Sequence, residues 1–137
     1  MNFSVLMLAD HATVERGLLY VHGGGVNAIM RTEFPSPMGV MLAAAITVPI
    51  ESLDKAIDFE LSMRAVDGED SIFQIGGELV TGVKEGRERL PFGSPFVVDL
   101  RTAPVPKPGS YVLEARAGEV TQLVYFTASE VQPDDAP

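Results

Sequence analysis

Ile57-Asp58-Phe59-Glu60-Leu61-Ser62-Met63-Arg64-Ala65 alternates apolar and polar side chains without a break for nine residues. A period of two puts one set on each face of a pleated strand, so this stretch is a strand with a dry side and a wet side. Asp67-Gly68 follows as a turn signal, and Ser71–Thr81 returns with Phe73, Ile75, Gly77 and Leu79 on one face. The pattern predicts an antiparallel pair, and the rest of the chain is read by extending it.

Downstream, Gly82 to Leu90 is a polar loop, and Phe96–Leu100 is a strand with Phe96, Val98 and Leu100 inward. Pro104-Val105-Pro106-Lys107-Pro108-Gly109 is a stiff corner, since three prolines cannot donate to a ladder. Ser110–Ala117 alternates again, and Gly118-Glu119 turns it into Val120–Thr127. Tyr111, just past the corner, is placed to bury its ring and hydrogen-bond back, as in immunoglobulin-like domains.

Upstream, Phe3–Ala9 reads as a strand, Asp10–Gly17 as a connection, and Leu18–Met30 as one long strand bent at Gly23-Gly24-Gly25. Three glycines there predict a corner between sheets or a close approach of backbone or ligand. Glu33–Pro37 is expected to stop any pairing. Val40–Val48 is apolar throughout and bracketed by Pro37 and Pro49, so it reads as a strand covered on both sides. Pro49–Lys55 is a loop with room for one helical turn.

These elements predict an all-β chain: a single-domain antiparallel β-sandwich of about eight strands, with immunoglobulin-like or related Greek-key topology. Residues 1–128 form the domain, and 129–137 a flexible acidic tail. At 137 residues one domain fits, and with no cysteine the core must hold without disulfides.

A formal charge of −9, from 10 basic and 19 acidic residues, argues against nucleic-acid or anionic-membrane partners. No apolar run reaches the length of a transmembrane helix. Met1-Asn2-Phe3-Ser4 carries no basic residue before its short apolar run, so a secretory signal is not expected and a cytoplasmic location is.

Asp10-His11-Ala12, then Gly17-Leu18-Leu19-Tyr20-Val21 and Gly23-Gly24-Gly25, resembles a family of small uncharacterised bacterial proteins. Its members look like Asp-Tyr-Ala, a spacer, Gly-Lys-Leu-Tyr and a Gly-Gly run, closing with a Pro-Gly-x-Tyr strand and a hairpin. Pro108-Gly109-Ser110-Tyr111 and Gly118-Glu119 match that ending, while His11 stands where an aromatic is expected. The resemblance implies a compact β-sandwich in a bacterial cytoplasm and implies no activity.

The chemistry motifs are incomplete. His22-Gly23-Gly24-Gly25 copies the oxyanion string of some esterases, but no Gly-x-Ser-x-Gly elbow and no later histidine accompany it. A dinucleotide fingerprint would need glycine where Ala28 stands. His11, His22, Asp10 and Glu15 make a poor zinc set by spacing. Asp67, Glu69 and Asp70 lack the spacing of a calcium loop. No catalytic residue, metal site or cofactor is assigned, and the chain reads as non-catalytic.

What remains is surface. The apolar outward positions Met41, Ala43, Ala45 and Tyr125 are expected to form an interface with a protein partner or a second copy, as in a homo-oligomer or accessory subunit. The alternative is a small-molecule or carbohydrate site at His22, Gly23, Gly24, Gly25 and Asn27.

Overall fold

The computed structural model describes residues 1–52, 55–80 and 92–135, and the expected loop at 82–90 lies outside them. Eleven strands run through the described residues, with two short 3-10 turns, Ile50–Ser52 and Pro133–Asp135. The strands are β1 Asn2–Glu15, β2 Leu18–Gly24, β3 Ala28–Arg31, β4 Ser36–Pro37, β5 Met41–Val48 and β6 Ala56–Ala65. They continue as β7 Phe73–Val80, β8 Phe92–Asp99, β9 Pro104–Val105, β10 Gly109–Ala117 and β11 Val120–Glu130. The protein is all-β, as the alternation predicts.

β6 behaves as its sequence dictates: Ile57, Phe59, Leu61 and Met63 are buried, while Asp58 is exposed. It lies fourth in a five-stranded sheet ordered β3-β11-β10-β6-β7, beside a four-stranded sheet ordered β2-β1-β5-β8. One hydrophobic cluster takes Leu8, Leu42 and Ile46 from the smaller sheet and Leu61, Met63, Leu113 and Phe126 from the larger. Phe59 of β6 meets Phe96 of β8 edge to face at 5.0 Å, an arrangement aromatic pairs favour. Each fully buried side chain of this size stabilises the fold by about 1.5–3 kcal/mol.

The corner before β10 closes as expected. Tyr111 is 1% exposed and stacks on Phe126 at 5.3 Å. Its hydroxyl donates to the Lys107 carbonyl and accepts the Lys107 N–H.

Four expectations need correction. The Leu18–Met30 stretch is two strands, because Gly23 (φ 63°) and Gly25 (φ 83°) take left-handed backbone and carry the chain from one sheet to the other. The glycines therefore raise the strand count. Arriving from the opposite layer, β3 pairs parallel to β11, so the sheets are not wholly antiparallel. Ser36–Pro37 does pair, with Pro104–Val105, as a two-residue ladder flanked by Met38 N–H to Ala103 O at 2.8 Å. The fourth concerns Asp10–Glu15, which is strand and not connection: β1 runs on to Glu15, and only Arg16-Gly17, both at positive φ, make the turn.

At the other end β11 continues through Ser129 and Glu130, paired with Met30 and Arg31, before the remaining tail.

Candidate functional site

The outward face of β5 is set by its register. Met41, Ala43 and Ala45 lie opposite Ala9, Met7 and Val5 of β1 on one side, and opposite Asp99, Val97 and Pro95 of β8 on the other. With both neighbours present and bulky side chains flanking the alanines, Met41 is 8% exposed, Ala43 0%, and Ala45 half-buried. The exposed apolar face expected at Met41 and Ala43 does not exist. Tyr125 is different: it is 57% exposed, in the other sheet, two residues from the exposed Leu123. The four residues do not share a surface.

The Gly-rich bend is shaped by close approach. The N–H groups of Gly25 and Val26 both donate to the Leu8 carbonyl at 2.9 Å. A Cβ on Gly23 would press into the Asp10 carboxylate, and one on Gly24 would stand 2.7 Å from Met7 Sδ. The neighbours are side chains of this same chain, so the glycines here admit Asp10 and Met7. His22 stands before the bend, exposed, and Asn27 after it.

Asn27 lines an open groove of about 630 Å³ with Ala28, Val66, Ser110, Tyr125 and Thr127. The groove joins one expected ligand residue to one expected interface residue, and His22 and the glycines do not line it. Sequence spacing groups His22 with Asn27, and the bend separates them.

The feature that spacing does not find is an arm. β5 pairs with β1 only from Asn2 to Ala9, while β2 pairs with β1 from Ala9 to Glu15. Beyond Ala9 the hairpin is therefore two strands wide. Val14 (39%), Leu18 (59%) and Tyr20 (44%) are exposed on it. Its signal is Val14-Glu15-Arg16-Gly17-Leu18, a two-residue turn with glycine second between β-formers. Reading all of Asp10–Gly17 as a connection hides it.

The ion pairs among the described residues are local. Arg101 brackets Asp99 with two guanidinium hydrogen bonds, of 3.0 and 2.8 Å, and a backbone N–H at 3.0 Å. Those hydrogen bonds hold the Asp99 carboxyl down at about 2, and the carboxylate in turn pushes the Arg101 guanidinium up. Both are exposed and close the turn after β8. Among the described residues, no group of three or more His, Cys, Asp or Glu lies close enough together to hold a metal ion.

A family model described as a family of unknown function (DUF6941) matches residues 4–125. No curated protein and no solved structure matches the chain.

Proposed function

The chain belongs to this family of unknown function, and from that footing we propose that it is a non-catalytic protein-contact module whose docking element is the free edge of β2. A single observation carries the reading. β2, Leu18-Leu19-Tyr20-Val21-His22-Gly23-Gly24, carries no Asp, Glu, Lys, Arg or Pro and, among the described residues, is an edge strand bonded on one side only. Edge strands are ordinarily blunted by charge, proline or brevity. Elsewhere among the described residues they are: β7 carries Glu78, β8 carries Pro95 and Asp99, and β3 has four residues.

Ala12, 1% exposed, seats one face of the arm, but a ribbon two strands wide is marginal without further pairing, so the arm gains from a third strand. A second copy is the partner that fits most simply, because an edge can pair antiparallel with itself about a two-fold axis. Leu18 and Tyr20, on β2 itself, then gain cross-strand neighbours. The setting we take is the bacterial cytoplasm of the resembling family. The body behind the arm we read as one β-sandwich of Greek-key type, a reading supported by the shared core cluster and the Tyr111 corner.

Sizing chromatography with light scattering tests the proposal. The expected mass is about twice 14.7 kDa, falling to that of one chain when Leu18 and Tyr20 are both changed to Lys. A wild-type chain that stays monomeric at every concentration refutes self-pairing. A monomer that a metabolite stabilises, with the gain lost in Asn27→Ala, points instead to a small-molecule or carbohydrate site, placed at Asn27 and the groove it lines and not at His22 and the glycines of the bend.

A further inference from the structure

We propose that His11, His22 and the thioether of Met7 form a copper-binding site on the outer face of the arm's root. The proposal does not rest on the contact reading above. The chain has two histidines, eleven residues apart, and the β1–β2 register sets them directly opposite each other. Their ring centres are 6.5 Å apart with a tilt of 41°, and both side chains are exposed.

On β1, Met7, Ala9 and His11 fall on one side by the period of two. Ala9 pairs with Gly24. The missing side chain of Gly24 is the space Met7 takes, since a Cβ there would stand 2.7 Å from Met7 Sδ. The sulfur thus lies over β2 at the residue two beyond His22. Ala9, between Met7 and His11 on that side of β1, and Gly24 opposite it carry at most a methyl group.

A cation bonded to each imidazole nitrogen at about 2.0–2.1 Å needs the two nitrogens roughly 3 Å apart. Side-chain rotation of two exposed histidines supplies that without moving the backbone. Two imidazoles alone suit zinc, nickel and copper alike, whereas a soft thioether selects copper, Cu(I) above all. Asp10, the nearest acidic neighbour in sequence, alternates to the opposite side of β1, where it lies against Gly23. That carboxylate is thereby kept off the imidazole side, and Glu15, which shares the side, stands four residues from His11 at the tip of the arm. Sequence spacing alone makes the histidines a poor metal set, because it counts neither the cross-strand register nor methionine as a donor.

The test is a competition titration of the intact chain with Cu(I), held reduced and supplied against a chromophoric Cu(I) chelator, with Ni(II) titrated in parallel. The expected result is one Cu(I) per chain. His11→Ala and His22→Ala should each weaken it by about tenfold or more, the usual scale for disturbing a metal site. Met7→Leu, close to volume-conserving, should weaken Cu(I) by a similar factor while leaving Ni(II) binding at the histidines unchanged. Far-UV circular dichroism confirms that each variant keeps its sheets. Failure of the wild-type chain to compete for Cu(I), or Cu(I) binding unaffected by His22→Ala, overturns the site. Equal Cu(I) affinity in Met7→Leu overturns the assignment of copper.

Discussion

Replacing Tyr111 by phenylalanine removes one oxygen and leaves the ring in place, so it isolates what the corner's hydrogen bonds contribute. That oxygen donates to the Lys107 carbonyl and accepts the Lys107 N–H, bridging the start of β10 to the Pro106–Pro108 corner. A typical intramolecular hydrogen bond contributes about 1 kcal/mol net. Lys107 itself is exposed, so water can reach its backbone once the hydroxyl is gone. The expected loss is therefore about 1–2 kcal/mol. For a chain of this length the entropy of unfolding makes each kcal/mol about 3 °C, giving a fall of about 3–6 °C in Tm. Tyr111→Ala should cost more, about 3–5 kcal/mol, because it also removes a 1%-exposed ring stacked on Phe126. Tyr125→Phe makes the same chemical change at a 57%-exposed position and serves as the control, with no shift expected. Thermal and urea unfolding followed by circular dichroism measure all three. Should Tyr111→Phe match the wild type, the prolines alone hold the corner and the hydroxyl argument is refuted.

Met41→Lys should lower stability by about 1–3 kcal/mol, since it places an ammonium at a side chain 8% exposed. Its urea midpoint should fall while the oligomeric mass of the folded protein is unchanged, and the reverse pattern would restore an outward role for β5. Asp99 gives a pH signature. Its carboxyl sits at about 2 in the folded chain against an ordinary 3.8, so the unfolded state binds more protons between those values. The stabilisation is present above the ordinary value and is lost as pH falls toward 2. Asp99→Asn should accordingly flatten the acid limb of a stability-versus-pH curve, and high salt should shrink the difference because the pair is exposed.

Alternation makes β6 legible from its residues alone, because a half-buried strand writes its two faces into its sequence at a period of two. The Tyr111 corner is legible for a similar reason: proline fixes the approach, and a buried tyrosine must find a partner for its hydroxyl. β5 is legible as a strand but not as a surface. Met41 and Ala43 are buried between the paired strands β1 and β8, and which residues flank them depends on register, which the residues of β5 do not encode. The glycine run announces a change of direction without announcing that the chain returns parallel.

The arm shows the same limit most clearly, and it bears on function. Nothing within Asp10–Gly24 states that β5 stops pairing at Ala9, because that boundary belongs to where Val40–Val48 begins and ends, some thirty residues away. Beyond that boundary β1 keeps β2 as its one paired neighbour among the described residues, so Leu18 and Tyr20 stand on a ribbon two strands wide. The Arg16-Gly17 turn sets the register that places His11 opposite His22. A binding surface of this kind is a property of how far one strand outruns another. It becomes visible only when sheet order and register are known.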